Sequence, residues 1–476
     1  MYDVVIIGCG ITGSACAYYL SRYKLNIAVL EKYNDVCCGS TRANSAIIHA
    51  GFDPEPGSLC AKYNVRGCEL APQICEKLDV AYKNIGSLVV AFSNDEVMTL
   101  LKLYDRGIKN GVPDMKFLNQ AELREMEPMI AKEALGALWA PTAGIVNPWE
   151  YGLAMAETAV RNGAELFLNS EVTGIEKKDG YYTVSCGDKT YDAKFVINAA
   201  GVYSDDIHNM VAEPSFKIIP AAGEYYLLDK AEGSRANHVI FQCPNELGKG
   251  VLVSPTVHGN LIVGPNAIPS DKDDTTTKTS SLDFIREAAS KSIPSINYRE
   301  NIRNFTGVRA NTESGDFEIG FADEGFLDIA GIKSPGLSAA PAIAEDVVRM
   351  LGEKGLALDE KENFIDKRTH IRFKHLSNEE KNALIAKTPE YGQVVCRCET
   401  ITEGEILDAL ASPIPPVSLD GIKRRAGTGM GRCQGGFCGP KVLEIMARKM
   451  NVPFEDILQD ANGSYILTGE TKSRRD

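Results

Sequence analysis

Hydrophobic positions set out the first elements of the chain. Val4 to Ile7 is an unbroken apolar run of the length of a buried parallel strand, which needs no polar alternation because both its faces are covered. A helical pattern then runs to about Arg22, and Ile27 to Leu30 is a second short apolar run. Similar runs recur in "AKFVINAAGVYSDDI" and "GFLDIAGIKSPGLSAAPAIAEDVV", the latter passing through a Pro-Gly turn into a helix of small residues. Polar–apolar alternation around an Asp-Gly turn marks "VTGIEKKDGYYTVSCGDKTYDAKFVINAAG" as alternating strands. "EYYLLD" and "GVLVSPTVHGNLIVGP" read as strands of an antiparallel sheet. Near the end, "ITEGEILDALA" begins with Thr402 and Glu405 at capping-box spacing, and "LDGIKRRAG" and "GPKVLEIMARKM" predict two more short helices.

Composition narrows what these elements can build. A chain of 476 residues, 44% apolar and 24% charged, is expected to fold as two or three globular domains, which excludes large-scale disorder. The net charge of −13 argues against nucleic acid or an anionic membrane as partner, although Lys423 to Arg425 could hold one small anion. No stretch has the length of a membrane span, and the first apolar run follows Asp3 and not a basic segment. The chain is therefore expected to start at Met1 and to be cytoplasmic. Nine of the thirteen cysteines are scattered over residues 9 to 243 and predict reduced, mostly buried thiols; the adjacent Cys37 and Cys38 receive no role.

Gly8, Gly10 and Gly13 form G-x-G-x-x-G between the first strand and the first helix. Such glycines allow a tight turn, a close approach to pyrophosphate and close helix–strand packing, while the helix N-terminus offers N–H donors to phosphate. Glu31, 18 residues after Gly13, is placed to accept from a ribose hydroxyl. This ordered set predicts dinucleotide binding and suits NAD and FAD equally; a glycine-rich turn in an α/β core is the plainer alternative.

In combination, these segments resemble the flavoproteins of the D-amino-acid oxidase superfamily over roughly residues 1–360. The resemblance implies FAD, held by Gly8, Gly10, Thr12, Gly13, Glu31, Lys32, Ser40, Thr41, Asn44, Ser45, Val172, Ala200, Gly201, Gly336, Leu337 and Ser338. It implies an α/β, Rossmann-like FAD-binding domain from 1–80, 142–215 and 320–360, and an α+β substrate domain with an antiparallel sheet from 81–141 and 216–319. Residues 361–390, highly charged, would be a linker plus a helix.

The loop "NSAIIHAGFDPEPGSL" resembles type II glycerol-3-phosphate dehydrogenases and oxidases, and L-2-hydroxyglutarate dehydrogenases, whose matching histidine lies at the active site. His49 is thus the candidate base for an alcohol proton, against the alternative of a structural histidine. Arg309, in "FTGVRANTESG", is the candidate grip on a substrate phosphate or carboxylate, against a surface salt bridge. Lys249 is a further candidate for the same anion or an exposed turn lysine; His258 is expected to be exposed. The strand Gly223 to Asp229 should line the pocket, without indicating which tyrosine points inward. Backbone N–H groups of Gly336, Leu337 and Ser338 could face the flavin carbonyl.

Four further cysteines, Cys396, Cys398, Cys433 and Cys438, make C-x-C and C-x4-C, a set able to hold zinc or an iron–sulfur cluster, though not at the usual zinc-knuckle spacing. Pro440 just inside the last helix puts Cys438 at its positive N-terminus. Residues 391–452 resemble the bacterioferritin-associated-ferredoxin-like [2Fe–2S] domain, in the version found on anaerobic glycerol-3-phosphate dehydrogenase subunits; the second pair is wider than in the ferredoxin itself. With residues 453–476 as a tail, this would be a small helical C-terminal domain. The implied protein is an FAD- and [2Fe–2S]-containing dehydrogenase of sn-glycerol 3-phosphate that passes electrons to a protein partner or subunit, through which peripheral membrane contact is conceivable. A 2-hydroxy-acid or amine substrate, or a zinc-stabilised docking module on a flavin oxidase, are the alternatives.

Overall fold

A computed structural model describes residues 1–244 and 250–472. It divides into two compact units, residues 1–31 with 36–368, and residues 32–35 with 369 onward.

The first unit holds two large sheets. At the centre of an eight-stranded sheet lies β1 (Tyr2–Ile7), flanked in parallel by β2 (Ile27–Leu30) and β3 (Lys189–Asn198), with Val5 opposite both Ala28 and Val196. The strand Phe326–Ala330 pairs in parallel with β3. Val4, Val5 and Ile6 are wholly buried, which is why the opening run carries no polar alternation. Helices α1 (Ile11–Leu20) and α2 (Leu59–Lys77) both pack against α3 (Gly336–Glu353). The Asp-Gly turn joins antiparallel strands Gly174–Lys177 and Tyr182–Cys186, with Gly180 at φ +81°.

The second sheet has nine strands and is dominated by the antiparallel pair β4 (Ile218–Leu228) and β5 (Asn301–Thr312), in which Ala221 faces Arg309 and Gly223 faces Gly307. It departs from the antiparallel expectation at one place: Val239–Gln242 runs parallel to Ser87–Ala91. Alternation along β4 sends Tyr225 into one core, with Ile47 and Phe241, and Tyr226 into another, with Val90 and Ile285.

In the second unit, helices α4 (Glu403–Leu410), α5 (Leu419–Ala426) and α6 (Gly439–Met450) surround fully buried Ile406, Ile422 and Met446. The Thr402–Glu405 capping box is formed: Thr402 Oγ1 accepts from Glu405 N–H while the Glu405 carboxylate accepts from Thr402 N–H. The basic run ending in Arg425 finds its anion inside this unit. Asp35 accepts from Arg424 Nη2 at 2.9 Å and from Arg425 Nη2 at 2.8 Å. Burial alone would raise the Asp35 carboxyl, but the two guanidiniums outweigh it and hold the pKa at about 2. Among the described residues no disulfide is formed. Among the described residues no helix is long and apolar enough to cross a membrane.

Candidate functional site

The nucleotide end is built at the carboxyl ends of β1, β2 and β3. Gly8 turns there with φ +93°, and a Cβ on Gly13 would lie 1.9 Å from Gly8 O, so strand and helix meet at glycine contact. Helix α1 starts at Gly10 without a side-chain cap or an acidic first turn; Ile11 N–H donates to Thr41 Oγ1 at 2.9 Å. Thr12 is buried in that first turn. Its positive end is thereby left for a phosphate. Glu31 is buried at the end of β2, and one carboxylate oxygen accepts Cys9 N–H at 2.7 Å. Gly201, at φ +62°, follows Ala200 after β3, and Val172 packs with Val5 and Leu30. Lys32 belongs to the segment that folds with the second unit, with its Nζ over the Tyr33 ring. The cradle of glycines, open helix end and buried acid fits a dinucleotide's pyrophosphate and ribose.

Beyond it the loop at 40–45 ties to the second sheet. Ser40 Oγ donates to Val308 O at 2.6 Å, Asn44 Nδ2 to Thr41 O at 2.8 Å, and Ser45 Oγ lies 3.1 Å from Tyr225 OH. His49 follows at the end of the strand Ile47–Ile48. Its N–H donates to buried Ser338 Oγ at 2.8 Å, its carbonyl accepts Asn64 Nδ2, and its ring stacks 5.8 Å from that of Phe241. Ser334 Oγ lies 3.3 Å from His49 Nε2, which marks Nε2 as the nitrogen that reaches a hydroxyl. Of the three amides expected to face a flavin carbonyl, Gly336 N–H and Ser338 N–H instead turn back to Lys333 O and Pro335 O, which leaves Leu337.

Arg309 donates Nη1 to Ala222 O at 3.4 Å and Nη2 to Asn266 O at 3.2 Å. No carboxylate among the described residues pairs with it, so its charge is available to an anion. A Cβ on Gly223 would lie 2.4 Å from Nη2 and 2.8 Å from Cζ: the guanidinium rests on a glycine because nothing larger fits beneath it. Lys249 lies outside the described residues. His258 is exposed, with Nε2 3.3 Å from Asn147 Nδ2.

Tyr225, Phe241, Asn266 and Asn64 escaped the sequence reading. Period-two alternation offers Tyr225 and Tyr226 as equals, and only the packing separates them: Tyr225 stacks on Phe305 and reaches Ser45, whereas Tyr226 packs on Tyr298. Phe241 and the two asparagines carry no local signal.

In the second unit the four thiols gather as two pairs. Cys398 Sγ lies 3.7 Å from Cys433 Sγ, both exposed, while Cys396 and Cys438 are buried. Cys438 S–H donates to Cys396, which holds Cys396 low, at about 6, and Cys438 high. Backbone N–H groups of Gly429 and Glu399 point at Cys396, and those of Phe437 and Gly435 at Cys433. Amides aimed at sulfur stabilise thiolates in iron–sulfur sites. Among the described residues no three His, Cys, Asp or Glu side chains are placed to hold a metal ion. Cys438 is the N-cap of α6, as Pro440 led us to expect.

Residues 3–350 match the family described as FAD dependent oxidoreductase (DAO), and residues 394–448 match the BFD-like [2Fe–2S] binding domain. A glycerol 3-phosphate dehydrogenase from Caloramator mitchellensis is 50% identical over 99% of both chains. An L-2-hydroxyglutarate dehydrogenase from Escherichia coli is 36% identical over 56% of this chain and 64% of its own. Among solved structures, dithionite-reduced L-α-glycerophosphate oxidase from Mycoplasma pneumoniae, with FAD bound, superposes with a TM-score of 0.74 at 33% identity, covering 78% of this chain and 99% of the other. The glycine cradle and the gathered thiols thus agree with the matched families: the chain belongs to the FAD-dependent oxidoreductases of the DAO family, carries a BFD-like domain, and uses FAD and a [2Fe–2S] cluster.

Proposed function

We propose that the protein oxidises sn-glycerol 3-phosphate to dihydroxyacetone phosphate and delivers the electrons, one at a time, to a protein acceptor. The observation that carries this reading is Arg309, a cation that no carboxylate among the described residues pairs with, next in the strand to Val308, whose carbonyl is tied to the 40–45 loop that leads to His49. Arg309 grips the phosphate through its fork of donors, with Gly223 leaving room for it to lie flat. His49 takes the hydroxyl proton at Nε2 while the carbon gives up its hydride and the C–O bond becomes C=O. FAD, when bound, accepts that hydride, and the [2Fe–2S] cluster carries electrons singly. Phe241 and Ser338 hold the imidazole and its backbone in place, and Tyr225, stacked on Phe305, reaches Ser45. A second reading, L-2-hydroxyglutarate, keeps the same roles with a carboxylate on Arg309; support for the phosphate comes from the relative matched along its whole length.

Anaerobic titration of the purified enzyme tests this at the flavin absorption band. Glycerol 3-phosphate should bleach it and L-2-hydroxyglutarate should not. Bleaching by the hydroxy acid alone would replace the substrate assignment and leave the fold untouched.

A further inference from the structure

The thiols of the second unit differ sharply in exposure, and the exposed pair has an unusual neighbourhood. Beside Cys398 and Cys433 stands Phe437, whose ring is 48% exposed although its own N–H is engaged with the Cys433 sulfur. Arg397 sits 4.9 Å from the Phe437 ring centre and Lys441 5.6 Å from it. Arg432 is exposed next to Cys433. From Gly421 to Leu443 the chain contains no acidic residue. Of the nearby acids, Glu399 is buried and lies 3.6 Å from Lys374, and Glu444, three residues beyond Lys441, is exposed. A surface with an exposed aromatic ring between Arg397 and Lys441, and with exposed Arg432 close by, stands out as locally basic on a chain whose net charge is −13.

We propose that this face, with Phe437 at its centre and Arg397 and Lys441 at its rim, is where an acidic one-electron carrier protein docks. The proposal rests on the one-electron reading above and adds the site and the partner's charge. Exposed aromatics and arginine are the residue types that anchor interfaces. Opposite charge across the rim speeds encounter and falls off with salt. It also brings the carrier to the two sulfurs that face solvent. At each encounter one electron leaves the enzyme and one haem or cluster iron of the carrier goes from Fe(III) to Fe(II), so two encounters follow each alcohol oxidised.

The test uses holoenzyme reduced with dithionite, so that it does not depend on the substrate. It is mixed with an acidic haem protein, cytochrome b5, and separately with basic cytochrome c, at rising NaCl concentration. The rate with the acidic carrier should be the faster at low salt and fall steeply with salt. Lys441→Glu, at an exposed position in the first turn of α6, should lower it roughly tenfold and raise the rate with the basic carrier, with iron and labile sulfide content unchanged. Phe437→Ala should weaken equilibrium binding of the oxidised acidic carrier by roughly tenfold, with iron and labile sulfide content unchanged. Equal rates with both carriers, a rate indifferent to salt and to Lys441→Glu, or no binding of the acidic carrier at low salt would overturn the docking proposal. Failure of glycerol 3-phosphate to bleach the flavin would overturn the substrate reading alone.

Discussion

In the proposed reaction Arg309 and His49 divide the work on the substrate, and each role can be tested by its own substitution. His49→Ala should slow flavin reduction by roughly 10² to 10⁴ if the imidazole is the base, as stopped-flow absorbance would show. An unchanged rate would leave His49 a structural residue held by Ser338 and Asn64. Arg309→Lys keeps the charge and loses the fork. The substrate affinity should fall about 10- to 100-fold, the worth of one or two charge-assisted hydrogen bonds. Gly223→Ala is the finer probe, because it touches no substrate. Its methyl would intrude on the guanidinium, and a displacement of that order should cost up to about 10²-fold in kcat/KM with little change in thermal stability. At this scale the sequence offered candidates where a residue type announces a chemistry, as at His49 and Arg309. It was silent where a role depends on what lies opposite, as Gly223 under Arg309, Phe241 against His49, and Tyr225 on Ser45.

Elements were the most legible level. Ile27–Leu30 forms a strand as its apolar run predicts, Thr402 caps α4 as its spacing predicts, and Cys438 stands at the start of α6 because Pro440 marks the helix entrance. Those are local rules, satisfied by neighbours in the chain. What failed is nonlocal: a basic run read as open to a small anion is taken by Asp35, almost four hundred residues earlier. That carboxylate makes a sharp prediction. Asp35→Ala leaves the buried Arg425 guanidinium without its anion, and Arg424 with Asp460, and should destabilise the second unit by about 3–5 kcal/mol, seen in thermal melts followed at the visible absorption of the cluster. Because the folded pKa, at about 2, lies below the ordinary 3.8, the contribution is fully present above 3.8 and is lost as pH falls through about 2. Asp35→Asn should flatten the acid limb of stability over that window; an unaltered limb would mean that other carboxylates dominate it.

For the whole molecule, the pairing of cofactors decides what kind of redox enzyme this is. A hydride acceptor joined to a one-electron carrier suits a dehydrogenase that hands electrons to a protein, whereas an oxidase discharges to oxygen without needing a cluster. Cys433→Ser should therefore leave the flavin reducible by substrate and slow reoxidation by a one-electron protein acceptor in single-turnover experiments. The two cofactors were readable from sequence because each is signalled by a compact motif, the glycines after β1 and the two cysteine pairs. Substrate identity was not, since an arginine grips phosphate and carboxylate alike. The most direct measurement is electron paramagnetic resonance of enzyme frozen after anaerobic reduction by glycerol 3-phosphate. The account predicts the signal of a reduced [2Fe–2S] cluster, growing in after the flavin bleaches. A bleached flavin beside a centre that stays silent, or zinc in place of iron and sulfide, would contradict it.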